Sequence, residues 1–583
     1  MTTEKILHMA LVGSGGDGVM STANLILQAA SRLGLYGMMT QSYGPQIRGG
    51  EAAAHVSLSA EKVANVGISK DLIVCFRFSD IVRFAKEIKA APHAAVFHGI
   101  ETTEMPECLK APQGVTVSIA FQELLEKEGL PEVAKNVVLF GMLLKMLQWD
   151  VAIGETCVRE VFGHKSKAVI DGNLKALQIG FNHPEVRQMP FAVPKSKFIK
   201  PRWVVSGNVA CARAAVEAGC RFYAGYPITP SSEILEEAYE LLPKVGGRLI
   251  QAEDEIAAAG MLVGASYGGV PSMTATSGPG LSLMTEMLGL SSMAEIPLVI
   301  VDCQRAGPAT GLPSRMEQSD LWHAVYGGHG DFPRVVLAPT DVADCYRTMF
   351  RAFWCAETFQ LPVLVLSDAW IAQRMDVVDP VETASFPKAK RLLAALSGEG
   401  YRRFDLRVAM DEERSGVNPV ALPGMPCGMH SIAGIEHTET GTPSADGGLH
   451  EKMNEKRFRK LSAIACETAG WYSVYGQDDA PHALIAWGSS AAVARQVASI
   501  DKETAVFVPE IMHPFPVKAL QNFLEGRRDV AVLEMNYQGQ LFQYLKSLGV
   551  LNGRALSLKR SGGIPFQLEE VQRMIQEAFK EVL

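Results

Sequence analysis

The sequence predicts an α/β protein of several domains, and three observations carry that expectation. First, short apolar runs bounded by Gly, Pro or Ser (Arg248–Ile250, Pro271–Met273, Pro297–Val301) recur ahead of turns and small-residue helices, a strand–loop–helix rhythm. Second, polar motifs stand at the ends of those runs, where an open α/β sheet places its ligands. They read GYPITPSS at 225–232, QAEDEIAAAGMLVGASYGG at 251–269, TATSGPG at 274–280 and QRAGPATGLPSRMEQSD at 304–320. Third, the chain has 583 residues, 48% of them hydrophobic, enough core-forming material for about three to five domains.

Residues 1–190 read as the first α/β domain. A strand over Ile6–Val12 runs into the glycine loop Gly13-Ser-Gly-Gly-Asp-Gly18 and the helix Val19–Gly34. Such a loop either cradles a phosphate at the helix start or lets the helix pack closely on the sheet. Asp17 would repel a pyrophosphate, and no acidic residue closes a second strand at the usual distance, which argues against an NAD site. The Gly16-Asp17-Gly18 triplet invites a metal-diphosphate reading, but the window that should supply its asparagine, QSYGPQIRGGE at 41–51, contains none. That window is a loop rich in turn formers, in which Arg48 meets a phosphate or carboxylate or pairs on the surface. Ala53–Leu58 and Leu72–Phe76 continue the sheet, and a helix over Val133–Leu147 closes the core.

Residues 191–203 form a linker, within a stretch from Met189 carrying three prolines and four basic residues without period. A second domain spans 204–374 and ends after the buried strand LPVLVLSD. Residues 375–479 lose periodicity and are either an extended arm or a small β-rich insert. Within them a helix from about Gly448 to Glu467 shows Lys and Arg on a polar face, most simply a solvated one. A third α/β domain occupies 480–583, with strands in ALIAWGSS and VAVLEMN.

The net charge of −8, with both signs interspersed, speaks against nucleic acid or an anionic membrane as partner. No apolar run approaches the ~18 residues of a membrane helix. The N-terminus reads as a strand rather than a signal peptide. Ten cysteines are scattered without a CxxC pair, so a cytoplasmic protein with reduced thiols is expected, and no metal or cluster site.

Glu255 is the candidate catalytic residue. It opens a helix of small and apolar residues that should be buried, and a carboxylate there is disfavoured as an anion. The alternative is a helix-start carboxylate favoured by the macrodipole, which also suits Glu253 and Asp254.

Taken together and in this order, the motifs resemble the CoA-acylating 2-oxoacid:ferredoxin oxidoreductases. GSGGDGV and QSYGPQIRGGEA resemble the family's gamma domain. YPITPSS, EDEIAAAG, TATSGPG and QRAGPATGLP resemble the pyrimidine domain of its alpha subunit, a thiamine-diphosphate-binding fold. AWGSS, HPFP and EMNYQGQL resemble the transketolase-C-like domain behind it. The QRxGPxTGLP form, EHTETGTPS and HEKMNEKRFRKL are more similar to the 2-oxoglutarate branch than to the pyruvate branch.

The resemblance implies that Glu255 hydrogen-bonds N1′ of the cofactor's aminopyrimidine. It implies that Tyr226, Pro227, Ile228, Ser277 and Gly278 line the cofactor, the last two through their backbone. Thr229, Arg305 and Ser314 would meet the substrate, and Arg48 would meet CoA. Ser314 departs from the threonine common in relatives, keeping the hydroxyl and losing the methyl. Mg²⁺ and a [4Fe-4S] cluster would lie on a beta subunit, with the enzyme a dimer of alpha–beta heterodimers that reduces ferredoxin. The competing readings are pyruvate or broad 2-oxoacid specificity, a scaffold without catalysis, and a CoA-ligase-like enzyme with His329 as its phosphorylated residue.

Overall fold

The structure, a computed structural model, describes residues 6–43, 50–100, 103–186, 196, 200–395, 400–407, 416–551 and 554–580. It divides into two compact units, Met1–Ser206 with Gln373–Pro380 and Gly207–Ala372 with Val381–Leu583. No described helix is long and apolar enough to cross a membrane.

The first unit is built on one mixed sheet. Its strands are β1 (Leu7–Ser14), β2 (Tyr36–Tyr43), β3 (Glu51–Ser59), β4 (Ser69–Cys75), β5 (Lys89–Gly99), β6 (Val115–Ile119), β7 (Trp203–Ser206) and, far along the chain, β14 (Met375–Val378). The spatial order is β6-β5-β4-β1-β3-β2-β14-β7. β1 runs parallel to β4 and antiparallel to β3, with Leu7 opposite Leu58. Helices Val19–Arg32 and Lys135–Met146 share the core on one face. The latter buries residues on every side, as a helix apolar all round must.

In the glycine loop, Gly18 has φ 73 and a Cβ there would strike Asn136 on the second helix, so close packing accounts for this glycine. Asp17 is pinned inward. Its carboxylate accepts from the Ser14 N–H (2.7 Å), Lys135 Nζ (2.7 Å) and Arg77 Nη2 (3.2 Å).

Two strands join this sheet from outside the span 1–190. β7 pairs antiparallel with β14, and β14 with β2. Each has four residues, too few for alternation to register in the sequence.

The second unit holds two sheets. One comprises β8 (Phe222–Gly225), β9 (Arg248–Gln251), β10 (Ser272–Thr276), β11 (Leu298–Gln304), β12 (Val335–Leu337), β13 (Pro362–Asp368) and β18 (Ile511–His513), in the order β18-β12-β13-β11-β10-β8-β9. All neighbours are parallel except the edge strand β18. The other comprises β15 (Tyr472–Tyr475), β16 (His482–Ala486), β17 (Thr504–Pro509), β19 (Asp529–Glu534) and β20 (Ala555–Lys559), ordered β15-β17-β16-β19-β20. One hydrophobic cluster runs from Ile300 and Leu364 to Ile485, Trp487 and Phe507, so the two sheets share a core. The Gln318 side chain fastens them further. Its Nε2 donates to the Trp487 carbonyl (2.7 Å), and its Oε1 accepts from Met535 N–H (2.9 Å) and Ser490 Oγ (2.8 Å).

After β14 the chain runs as an arm, with isolated bridges Leu393↔Val420 and His437↔Pro443, before the helix Gly447–Glu467. The expected solvated face of that helix is a correction. Lys456, Arg457 and Lys460 are buried, 2%, 3% and 1% exposed. Both lysines pair with Glu295, and Arg457 pairs with Glu436. Those acidic partners lie on segments distant in sequence, so local spacing cannot signal the burial.

Candidate active site

The chain enters the parallel sheet at β8, steps out to the edge at β9, then crosses back to β10 and β11. The order therefore reverses beside β8, and ligands of such sheets bind at the carboxyl ends next to that reversal. The four polar motifs follow β8, β9, β10 and β11, which are spatial neighbours in the order β9-β8-β10-β11.

After β9, Asp254 caps the helix Glu255–Tyr267 by accepting from the Ala257 N–H (2.7 Å), which fixes Glu255 as the first helical residue. Glu255 is 5% exposed, while Glu253 and Asp254 are exposed. A Cβ on Gly280 would lie 2.6 Å from Glu255 Oε1 and would collide with Thr276 Oγ1. Only glycine leaves the Glu255 carboxyl where it is. That carboxyl accepts no hydrogen bond among the described residues. Close by in sequence, Thr274 Oγ1 and Ser277 Oγ are buried without partners among the described residues. A nearly dry carboxyl left without a partner fits a polar heterocycle that exchanges a hydrogen bond with it. The residues present are thus suited to the aminopyrimidine of thiamine diphosphate.

The helix Glu255–Tyr267 is not buried all round. Ala258, Ala259, Leu262 and Ser266 face the protein, but Ile256 is 46% and Met261 38% exposed. Tyr226 and Leu283, on flanking segments, are exposed too. Apolar residues uncovered beside a site mark a surface made for a partner.

After β8, Tyr226, Pro227 and Thr229 are exposed and Ile228 is half-buried. Arg305, directly after β11, is 7% exposed and its Nη1 donates to the Thr229 carbonyl at 2.7 Å, while its Nε is buried without a partner among the described residues. The structure thus brings Thr229 and Arg305 together, and sets Glu255 against Thr276 and Gly280. Ser314 is exposed on the loop after β11, closed by Ala306 N–H to the Arg315 carbonyl (2.9 Å). Ser277, expected to act through its backbone, is wholly buried. Arg48 lies outside the described residues.

Two residues that sequence reasoning passed over belong to this site. Asp302, within β11, is fully buried, and among the described residues no donor other than Asp320 reaches its carboxyl oxygens. Burial and the facing Asp320 carboxyl push Asp302 well above the usual carboxylate range, and burial pushes Asp320 up to about 6. Gln304 holds Asp320 in place, its Oε1 accepting the Asp320 N–H at 3.1 Å. A Cβ on Gly278 would lie 2.8 Å from Asp320 Oδ2. The only signal in the sequence was a carboxylate inside an otherwise apolar strand.

A raised value means that the folded state binds the proton more tightly than the unfolded chain. The pair's contribution to stability is therefore present at pH 4 and lost as pH rises through about 6. Asp302→Asn keeps a donor toward Asp320 without a proton to lose. It should raise stability at pH 8 by about 1–3 kcal/mol and flatten the pH 4–6 slope, read by urea unfolding. A destabilised variant with the slope intact would refute the shared proton.

Residues 213–451 match the family described as pyruvate flavodoxin/ferredoxin oxidoreductase, thiamine diphosphate-binding, and residues 8–183 match the pyruvate ferredoxin/flavodoxin oxidoreductase family. The 2-oxoglutarate synthase subunit KorA of Methanothermobacter marburgensis is 36% identical over 386 residues, 64% of this chain and 98% of that protein. The chain belongs to the 2-oxoacid:ferredoxin oxidoreductase family. A family member from Sulfolobus, a 2-oxoacid:ferredoxin oxidoreductase subunit alpha, is 28% identical over 99% of this chain and 97% of its own. The solved 2-oxoglutarate:ferredoxin oxidoreductase from Magnetococcus marinus, with 2-oxoglutarate, coenzyme A and succinyl-CoA bound, superposes with a TM-score of 0.89 at 32% identity. It covers 99% of this chain and 100% of that one. The α/β multidomain architecture expected from the sequence is that of the family.

Proposed function

We propose that this chain is the alpha-type subunit, with its gamma-type part fused ahead, of a 2-oxoglutarate:ferredoxin oxidoreductase. The reaction takes 2-oxoglutarate, CoA and two oxidised ferredoxins to succinyl-CoA, CO2, a proton and two reduced ferredoxins. The observation that carries the reading is the buried, unpartnered Glu255 carboxyl, held by Gly280 at the reversal point of the sheet.

Thiamine diphosphate, when bound, supplies a nucleophilic carbon for the 2-keto group and takes up the electron pair left when CO2 departs. Glu255 holds the proton shared with ring nitrogen N1′, in surroundings dry enough to make that hydrogen bond strong. Ser277 and Gly278 line the ring, as do Tyr226, Pro227 and Ile228 from the loop after β8. Arg305 orients the substrate's carboxylate through charge-assisted hydrogen bonds, with Thr229 beside it fixing the keto end. Ser314 offers its hydroxyl from the loop above, and Arg48 meets CoA.

A beta subunit covers Ile256, Met261 and their neighbours and brings Mg²⁺-diphosphate and a [4Fe-4S] cluster. The working enzyme is a dimer of alpha–beta heterodimers that passes two single electrons to ferredoxin. All ten cysteines are free, which supports work in the reducing cytoplasm.

The Sulfolobus relative, matched along nearly the whole chain, favours broader 2-oxoacid specificity as the second reading. A tagged chain, co-purified anaerobically with its partner, decides between them in a viologen-reduction assay with CoA. Reduction with 2-oxoglutarate but not pyruvate supports the first reading. Reduction with both supports the second, and with neither rejects both. In the same assay Arg305→Lys should raise KM for the 2-oxoacid about 10–100-fold, since a point charge cannot replace the guanidinium fork. An unchanged KM would remove Arg305 from substrate binding.

A further inference from the structure

The turn at 226–231 follows β8 and carries Thr229 on its exposed side. Three successive carbonyls in it each accept a hydrogen bond from the protein. The Ile228 carbonyl takes the Ser231 N–H (2.9 Å) and the Ser231 hydroxyl (3.0 Å). The Thr229 carbonyl takes Arg305 Nη1 (2.7 Å). The Pro230 carbonyl takes Asn208 Nδ2 (2.8 Å), from the second residue of the helix Gly207–Glu217. Exposed turns ordinarily leave such carbonyls to water and move accordingly. Here Pro227 and Pro230 fix two backbone torsions as well. None of these bonds uses the Thr229 hydroxyl, which is left for a ligand.

Asn208 is 1% exposed, and both ends of its amide are engaged. A carbonyl offers only an acceptor, so the NH2 end must face Pro230. The oxygen end then faces Cys303, whose Sγ donates to it at 3.5 Å. Burial pushes the Cys303 thiol well above its ordinary value, which keeps it an S–H donor. Cys303 lies on β11, two residues before Arg305. One strand end therefore anchors adjacent carbonyls of the turn, that of Thr229 through Arg305 and that of Pro230 through Cys303 and Asn208.

We propose that Asn208 is a positioning residue for the reaction, holding the turn so that the Thr229 hydroxyl meets the keto end of the 2-oxoacid, an inference that rests on the reading of Thr229 given above. Asn208 acts through the turn and not on the substrate. Without its NH2 group the buried Pro230 carbonyl loses its donor and must turn toward another. Thr229 shares a peptide unit with Pro230 and moves with it. A misplacement of about 1 Å in the reacting geometry costs about 10²-fold in rate.

The competing role is a tie between helix and turn that serves stability alone, and the two roles differ in their dependence on Thr229. The complex with its partner subunit is assayed by dye reduction with 2-oxoglutarate and CoA, normalised to bound thiamine diphosphate. Asn208→Leu should lower kcat/KM about 10²-fold. Thr229→Val should lower it about 10–100-fold, and adding Asn208→Leu to that variant should cost no more than about threefold further. A full further loss in the double variant, or wild-type kcat/KM in Asn208→Leu alone, overturns the proposal and leaves the reading of Thr229 standing. Wild-type kinetics in Thr229→Val would sink that reading, and the proposal with it. Crystals give a readout independent of turnover, with the Thr229 hydroxyl of the Asn208→Leu complex displaced by about 1 Å from wild type. An unmoved turn overturns the proposal. Should Asn208→Leu fail to fold, Asn208→Asp keeps the shape and donates only while protonated. Its kcat/KM relative to wild type should then fall as pH rises from 6 to 9, and a ratio of one throughout overturns the proposal.

Discussion

Glu255→Gln should lower turnover with the 2-oxoacid by about 10²–10⁴-fold while leaving assembly with the partner intact. The amide has the carboxyl's shape, so the packing against Thr276 and Gly280 is undisturbed. What it lacks is the capacity to share a proton with the heterocycle. The decisive pairing is activity beside composition, with viologen reduction and thiamine diphosphate and iron content measured on the same purified complex. Loss of activity with full content identifies Glu255 as a catalytic residue. Normal turnover would leave it a helix-start carboxylate, and a wild-type complex equally inert would favour the scaffold reading.

Gly280→Ala tests the same carboxyl from the other side. The added methyl would come 2.6 Å from Glu255 Oε1 and overlap Thr276 Oγ1. Gly280 is itself buried in the first turn of the helix Gly278–Met293, where alanine is otherwise favoured over glycine by up to about 1 kcal/mol. A methyl pressing on a fully packed neighbour costs about 1–3 kcal/mol, so the fold should survive with a lowered midpoint. Displacing the reacting geometry by about 1 Å costs about 10²-fold in rate. The expected result is a folded complex with about a hundredth of the activity, read by circular dichroism and the dye assay together. An active Gly280→Ala complex would show that Glu255 has room to move without consequence.

The strand-end motifs were legible because polar residues interrupt apolar runs at fixed places, and the parallel sheet of the second unit sets them side by side. Glu255 stood out for the same reason. Asp302 did not, since a single carboxylate within LVIVDCQ gives no hint of the Asp320 that faces it from another segment. The fate of Lys456 and Lys460 was hidden likewise, because helical spacing reports a charged stripe and not the buried Glu295 that meets it. The helix after Glu255 was expected to be buried throughout, yet Ile256 and Met261 are open in the isolated chain. A sequence records that a face is apolar and does not say which molecule covers it.

The pairing of β14 with β2 has a bearing on how such a chain can be divided. A break placed in the linker ahead of β7 would leave the N-terminal fragment ending its sheet at β2, while the C-terminal fragment kept the β7–β14 ribbon. Each piece would then present a row of backbone donors and acceptors in the register Met375↔Met39 and Val377↔Gly37 that the other completes. Made as separate polypeptides, the two halves should rejoin by strand addition along β2 and β14 without a covalent bond.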